Sequence, residues 1–393
     1  MVEKLFFELL RVAVGRQNCL SHTPTADEWR VLYGMAAKQA VLGVCFKGVE
    51  RLHPQGQVPP QDLLFEWIGA TETIRATNEL LNKRCRKLQA KLSEAGIRSS
   101  ILKGQAVAEY YGHTDGTDKL ALYRQSGDID VYVDCGMERA MQFAREQGIE
   151  NAEWDYKHLH LDVFKDTEVE MHYRVEVMLN LLKNRRLQRW FKEHTEEIFC
   201  HTDSTENTDI SSGRELPLIN HEFPINDTNG LVTPTVEFNV FYILLHIYRH
   251  FLYEGVGMRQ LMDYYFVLRH TDSTDTSEII KTLKKFGMMR FARGVMWVMQ
   301  EVFALKRQYM ICEPLEREGR FILKEVMAGG NFGHHDERTN RNRNGKIDTV
   351  KAICKHNWHL MQHYPSEVVW PPIWFVWHKC WKIRTRSKLR NIF

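Results

Sequence analysis

A short stretch of strict polar–apolar alternation constrains the fold of this chain more than any other feature. Residues 128–133 read Asp-Ile-Asp-Val-Tyr-Val. The alternation predicts a β-strand whose apolar side chains lie on one face, with Asp128 and Asp130 together on the other. Because only one face of this strand needs a core, we expect a sheet that helices cover on one side.

The chain before this strand shows helical patterns. Leu81, Cys85, Leu88 and Leu92 recur on one helix face, and Gly96 is placed to end that helix. We therefore expect a helical N-terminal region.

A strand, a turn and a helix follow. Residues 99–102 predict a short strand, Lys103 and Gly104 a turn, and residues 105–111 a helix that ends at Gly112. A glycine at such a turn lets a phosphate approach the backbone, and free N–H groups at a helix start bind anions. The turn is therefore a candidate phosphate site.

A second alternating region predicts a β-hairpin. Residues 158–164 and 168–175 both alternate and are separated by Lys-Asp-Thr. On the second strand, Glu170 and His172 share the polar face. His172 could support Glu170 or simply be hydrogen-bonded there.

These patterns predict an α+β fold, in which a small mixed-sheet core is flanked by helical N- and C-terminal regions. We expect a helical region at 1–95, the core at 96–200, a polar linker at 201–235, a helical domain at 236–330, and a mobile loop with a Trp-rich basic tail at 331–393. Within the linker, Thr-Pro at 233–234 predicts the start of the first C-terminal helix.

Composition supports a globular protein with more than one packed unit. The chain has 393 residues, of which 44% are hydrophobic and 26% charged, and it contains no run of about 18 apolar residues that would predict a membrane span. The eight cysteines are scattered without a C-x-x-C pair, which is typical of reduced thiols in a cytoplasmic protein.

Positive charge is concentrated in the tail. Six basic and no acidic residues occur from Lys379 onward, although the whole chain has a net charge of only +3. The body is therefore slightly acidic, which argues against a nucleic acid as partner. Trp370, Trp374, Trp377 and Trp381 follow helical spacing. The tail could make a peripheral membrane contact, or it could pack on the body.

The acidic residues form the strongest candidate site. Side chains two apart on a strand point the same way, and Mg²⁺ prefers carboxylate oxygens and shares its coordination sphere with phosphate. An isolated Asp-x-Asp is weak evidence, but here the phosphate-binding turn and a third acid accompany it. Two Mg²⁺ ions at such a site can orient an attacking hydroxyl and stabilise departing pyrophosphate.

Three motifs in order resemble a known family. They are Leu-Lys-Gly ending at Gly104, Arg-x-x-Gly-Asp-Ile-Asp beginning at Arg124, and the apolar-Glu-apolar-His motif around Glu170. Together they look like a bacterial family of uncharacterised nucleotidyltransferases in the DNA polymerase beta-like superfamily. The similarity includes residues 259–263 and spans most of the chain.

The resemblance implies roles for individual residues. Asp128 and Asp130 match the metal-binding pair, and Gly127 matches the residue before it. Glu170 matches the third acid, which in the superfamily helps to bind metal and to activate the attacking hydroxyl. Asp162 is a competitor, because it also lies between apolar residues on a predicted strand.

The triphosphate contacts follow less directly from the resemblance. The usual Gly-Ser of the superfamily is replaced here by Lys103-Gly104. Lys103, Gly104, Arg124 and Gly127 are candidates for nucleotide binding. Arg124 could instead form a salt bridge that fixes the loop before the strand, and Lys103 could be a solvated turn residue.

Two charged pairs remain outside these motifs. His246 and His250 are one helical turn apart, so they could ligate a metal or line the cleft on a packed helix face. Arg259 and Asp263 have the i,i+4 spacing that predicts a salt bridge on a helix surface.

The expected activity is transfer of a nucleoside monophosphate from a nucleoside triphosphate to an acceptor hydroxyl, with two Mg²⁺ ions as cofactors and pyrophosphate as product. The acceptor could be a sugar, a small metabolite or a protein side chain. The competing interpretations are a non-catalytic nucleotide-binding or scaffold protein and a kinase-like phosphotransferase that leaves a diphosphate. We expect a cytoplasmic protein, associated with a membrane if its tail makes that contact.

Overall fold

The computed structural model describes residues 2–112, 120–201, 230–271, 276–330 and 360–392. Most of the predicted linker and of the predicted mobile loop therefore lies outside the described residues. Among the described helices, none is long and apolar enough to cross a membrane.

The described α-helices and strands have the following bounds. The helices are α1 (Val2–Ala13), α2 (Ala26–Lys38), α3 (Leu42–Leu52), α4 (Gln61–Glu94), α5 (Gln105–Ala108), α6 (Gly136–Glu146), α7 (Leu181–Glu193), α8 (Thr195–Ile198), α9 (Val236–Tyr253), α10 (Met258–Leu268), α11 (Thr276–Phe286), α12 (Met289–Phe303), α13 (Glu316–Gly329), α14 (Pro365–Val368) and α15 (Trp370–Ile392). The strands are β1 (Ser99–Ile101), β2 (Ile129–Val133), β3 (His158–His160), β4 (Val169–His172), β5 (Cys200–His201) and β6 (Val232–Thr233).

Local sequence signals account for several helix ends. The Thr25 hydroxyl accepts from the Glu28 backbone N–H at 3.3 Å, and the Glu28 carboxylate accepts from the Thr25 N–H at 2.9 Å, which forms a capping box at the start of α2. Helix α4 ends at Glu94, and Gly96 follows with a φ of +68°, the left-handed conformation that favours glycine after a helix. This end agrees with the sequence prediction.

The four-stranded sheet is mixed and has the order β1-β2-β4-β3. Strand β2 pairs with β1 in antiparallel and with β4 in parallel orientation, and β3 pairs with β4 in antiparallel orientation. The register places Asp130 directly opposite Glu170. The two central strands therefore bring these acids together.

The sheet has its own core, separate from the main helical one. Ile129, Val131 and Met171 on its apolar face pack with Leu88 of α4 and Phe143 of α6. The larger core is formed mainly by α1 to α3 and α9 to α13. The fold is α+β with helices flanking a small mixed sheet, as the sequence predicts.

One predicted helix start is wrong. Thr233 lies in β6, which pairs with β5, and Pro234 precedes the helix. The capping residue of α9 is Thr235, whose hydroxyl accepts from the Phe238 N–H at 3.3 Å. The capping chemistry is the predicted type, but it is supplied two residues later because Thr233 is engaged in strand pairing.

Candidate active site

A cavity of about 440 Å³ lies at the polar edge of the sheet. Its lining includes Asp128, Asp130 and Glu170, together with residues of α9 and α10. Trp374 and His378 of α15 also line it. The cavity therefore combines residues from the sheet with residues from helices far away in sequence.

The three carboxylates converge in this cavity. Asp128 directly precedes β2, Asp130 lies on β2, and Glu170 lies opposite on β4. One oxygen from each lies within 4.8 Å of the other two. Asp162, the competing third acid, is exposed and does not line the cavity. The geometry thus brings Glu170, and not Asp162, to the aspartate pair.

The turn before α5 faces the same acids. Lys103 Nζ lies 2.8 Å from Asp130 Oδ1, and the Lys103 side chain is largely buried. Gly104 has a φ of +59°, so the chain turns there in a conformation that favours glycine. A Cβ at Gly104 would lie 3.7 Å from the Asp128 carbonyl oxygen. Lys103 is therefore an ion-pair partner inside the cavity and not a solvated turn residue.

The two aspartates differ in their electrostatic surroundings. The negative charge of Asp130, with burial, raises the pKa of Asp128 to about 6. Burial would also raise the pKa of Asp130, but Lys103 and a hydrogen bond with His172 outweigh it and hold that pKa well below its usual range. Asp128 is thus the carboxylate that most lacks a positive partner.

Two histidines surround the third acid. His172 is fully buried, and its Nε2 lies 2.9 Å from Asp130 Oδ1 and 3.2 Å from Glu170 Oε2. His158 of β3 places Nδ1 3.3 Å from the same Glu170 oxygen. Burial opposes ionisation of Glu170, but the hydrogen bond from His172 lowers the Glu170 pKa to about 2. Glu170 is therefore ionised at neutral pH.

Arg124 takes the salt-bridge alternative considered for it. Its Nε and Nη2 donate to the two carboxylate oxygens of Asp263 at 2.7 and 2.8 Å, and both side chains are buried. The Tyr111 hydroxyl donates to Asp263 as well, at 2.7 Å. Arg124 Nη1 donates to Ser126 at 3.1 Å. The guanidinium thus fixes the loop before β2 to α10.

The expected surface salt bridge between Arg259 and Asp263 is wrong, because both residues are buried. Arg259 lines the cavity, and its Nη1 donates to the Gln125 carbonyl at 2.9 Å beside Gly127. The sequence contained a signal for this placement. Helix α10 has apolar residues on every face, which is typical of a buried helix, so its charged residues require partners or a function.

His246 and His250 of α9 each pair with a glutamate outside that helix. His246 Nδ1 lies 2.9 Å from buried Glu176, and His250 Nδ1 lies 2.8 Å from Glu254. Arg249 pairs with both acids, at 3.2 and 3.0 Å. The two histidines line the cavity on a packed helix face. Among the described residues, they belong to no group with metal-ligand geometry.

The tail helix packs on the body through its tryptophans. Trp374, Trp377 and Trp381 make edge-on contacts with Tyr156, with ring centroids 5.4, 5.0 and 5.0 Å from that of the tyrosine. Trp374 and Tyr156 also line the cavity. The sequence predicted the helix, but nothing in the spacing indicated that it would reach the acidic site.

The outer side of α15 remains exposed. Ile373, Phe375, Val376 and Ile383 have 48%, 58%, 63% and 69% of their surface accessible. Packing of the tryptophans therefore does not remove the apolar and basic surface that a membrane contact requires.

A protein-family comparison agrees with this geometry. The family described as "uncharacterised nucleotidyltransferase" matches residues 25–304, which include all three acids and Arg259. The chain belongs to this family. It matches no curated protein and no solved structure. Membership supports nucleotidyl transfer as the general role and a nucleoside triphosphate as substrate.

Proposed function

We propose that the protein is a Mg²⁺-dependent nucleotidyltransferase that moves a nucleoside monophosphate from a nucleoside triphosphate to an acceptor hydroxyl. The observation that carries this proposal is the convergence of Asp128, Asp130 and Glu170 within 4.8 Å in a cavity. We place the chain in the DNA polymerase beta-like superfamily on the motifs that carry the family resemblance.

The carboxylates suit magnesium. Their ligand atoms are oxygens, and the raised pKa of Asp128 indicates a negative site that gains stability from a cation. Asp128 and Asp130 would hold two ions, with Glu170 as the third ligand. When bound, Mg²⁺ supplies positive charge to the phosphate oxygens and to the departing pyrophosphate.

The phosphates of the substrate would lie beside the turn before α5. Lys103 supplies positive charge there, and Gly104 and Gly127 leave room for a phosphate near the backbone. Arg259 adds a second cation at the cavity wall. We assign Arg124 a positioning role, because its donors bind Asp263 and hold the loop that carries Asp128.

The chain's own chemistry centres on Glu170. As an ionised carboxylate it accepts the proton of the acceptor hydroxyl, whose oxygen forms a bond to the α-phosphorus. The bond from that phosphorus to the oxygen bridging to the β-phosphorus breaks, and pyrophosphate leaves. Lys103 and Arg259 counter negative charge around the phosphates.

The acceptor is a sugar, a small metabolite or a protein side chain in this proposal. Nucleic acid is disfavoured, because the body of the chain is slightly acidic and the excess of positive charge lies in α15. We also propose that the exposed side of α15 makes a peripheral contact with an anionic membrane, and that the protein works in the cytoplasm.

The decisive experiment compares two labels. Cell extract is incubated with the protein, Mg²⁺ and nucleoside triphosphates labelled at the α- or the γ-phosphate. We expect incorporation from the α-position only, together with release of pyrophosphate. Incorporation from the γ-position would instead identify a kinase-like phosphotransferase.

A matched variant separates catalysis from binding alone. Asp130→Asn should lose incorporation, whereas Asp162→Asn, at the exposed competing acid, should retain it. Melting curves with Mg²⁺ and nucleotide test the scaffold alternative. A thermal shift in the wild type without any labelled product would favour a nucleotide-binding protein.

A further inference from the structure

Glu170 has two histidine neighbours in addition to the two aspartates. His172 follows it by two residues on β4, and His158 is the direct partner of His172 on β3. His158, Glu170 and His172 each offer one ligand atom, and these atoms lie within 4.8 Å of one another. We propose that they form a second metal site that prefers a first-row transition ion over Mg²⁺.

The distances suit an ion between these atoms. Glu170 Oε2 lies 3.3 Å from His158 Nδ1 and 3.2 Å from His172 Nε2. A transition ion bonded at about 2.0–2.2 Å to nitrogen and oxygen holds neighbouring ligand atoms roughly 3.0–3.5 Å apart. Both distances fall in this range. The ligand nitrogens of the two histidines lie within 4.8 Å of each other, so ligation requires at most a modest closing movement of their side chains.

A buried ring nitrogen gives an independent indication. His158 Nδ1 faces the Glu170 carboxylate at 3.3 Å, yet it is buried and forms no hydrogen bond in the described structure. A buried polar atom without a hydrogen bond destabilises the fold. An ion bound between His158, Glu170 and His172 satisfies this nitrogen.

The types of ligand determine the preference. Imidazole nitrogen suits Fe²⁺, Ni²⁺, Cu²⁺ and Zn²⁺, and Co²⁺ lies between Fe²⁺ and Ni²⁺ in affinity, whereas Mg²⁺ takes oxygen ligands. Asp128 and Asp130 provide the oxygen-only part of the centre, and the two histidines provide the nitrogen-rich part. Glu170 lies between them and belongs to both. The centre is therefore suited to two different kinds of ion at adjacent positions.

Cobalt binding tests the site without any need for activity. The full chain is stripped with a chelator and titrated with Co²⁺ in excess Mg²⁺. We expect one Co²⁺ per chain that Mg²⁺ does not displace, with the visible absorption of a nitrogen-ligated ion. His158→Ala should weaken this binding about tenfold or more, since even supporting groups of metal ligands have effects of that size.

His160→Ala is the matched control. His160 lies two residues further along β3, and its Nδ1 is 3.3 Å from Glu168 instead of Glu170. Its replacement should leave Co²⁺ affinity within about twofold of wild type, since ligands and their supporting groups account for the larger effects. Melting curves in chelator check that both variants are folded.

The proposal is wrong if His158→Ala binds Co²⁺ like the wild type, or if Mg²⁺ displaces Co²⁺ from the wild type at similar concentrations. The second result needs no variant, so it remains decisive if His158→Ala does not fold. The site is also separable from nucleotidyl transfer. Asp128→Asn should lose transfer but keep the Co²⁺ absorption.

Discussion

At the scale of single residues, Asp128 and Asp130 show how neighbouring carboxylates acquire different properties. Asp130 is buried between Lys103 and His172, which stabilise its charge. Asp128 stands closer to solvent and is repelled by Asp130. Asp130 is therefore ionised at neutral pH, while Asp128 gains most from a bound cation.

Replacing Asp128 by Asn should stabilise the metal-free protein. The folded-state pKa of Asp128 is about 6, above the value of about 3.9 in an unfolded chain. The unfolded state then loses its proton first, so this residue lowers stability progressively as pH rises from about 4 to about 6. In chelator, the melting temperature of Asp128→Asn should exceed that of wild type by more at pH 7 than at pH 4.

Magnesium provides the control for this result. Mg²⁺ should raise the melting temperature of the wild type at pH 7 and have less effect on Asp128→Asn. A stability difference that shrinks with rising pH would contradict the repulsion between the aspartates.

The third acid can be tested by comparing Glu170→Gln with Asp162→Asn. We expect Glu170→Gln to reduce kcat on the order of 100-fold or more, because a positioned proton acceptor contributes about that much to catalysis. Asp162→Asn should remain within a few-fold of wild type, since Asp162 is exposed and away from the cavity. Equal losses in both variants would argue against the assignment of Glu170.

The sequence predicted much of the site at this scale. The period of a strand sets Asp128 and Asp130 on one side, and Glu170 lies on the polar face of its own strand. Arg259 and His158 were not predicted as parts of the site. The position of Arg259 depends on how α10 meets the sheet, about which local spacing carries no information. His158 lies on the first strand of the predicted hairpin, but its spacing did not indicate that its side chain would face Glu170.

At the scale of elements, the buried pair between Arg124 and Asp263 connects the loop before β2 to α10. Breaking a buried pair leaves an uncompensated charge. Arg124→Ala and Asp263→Ala should each lower the free energy of unfolding by about 3–5 kcal/mol, and the double variant should lose less than their sum. Denaturant unfolding of all four proteins measures this coupling. Additive losses would show that the two residues act independently.

Predictions of helices and strands succeeded where they rested on local periodicity. They failed where the structure depends on pairing between strands that are distant in sequence. The strand at 128–133 and the helix ending before Gly96 were found from spacing alone. The parallel pairing of β2 with β4 was not predicted, because it depends on contacts about 40 residues apart in sequence. The same long-range effect places Thr233 in a strand.

At the scale of the whole molecule, α15 packs on Tyr156 and contributes Trp374 and His378 to the cavity lining. The outer side of this helix carries exposed apolar residues, and Lys379, Arg384, Arg386 and Lys388 of the same helix are also exposed. We expect the protein to sediment with anionic vesicles and to remain in solution with neutral ones, because both apolar burial and charge contribute to binding.

Variants on the outer side test this contact without disturbing the tryptophans. Val376→Glu combined with Ile383→Glu should abolish sedimentation with anionic vesicles. Leu182→Glu is the control, because Leu182 is similarly exposed, at 66%, but lies on α7. Sedimentation of the double variant with anionic vesicles would contradict a membrane contact through these residues.

The position of α15 has a consequence for how the proposed acceptor site is built. Its three acids lie within the family-matched residues 25–304, whereas Trp374 and His378, which line the same cavity, lie beyond them. The segment that carries the three acids and the segment that shapes part of the cavity are thus separate stretches of chain. If the three acids carry the proposed chemistry, substitutions in the distal helix should change the choice of acceptor while leaving the acids in place.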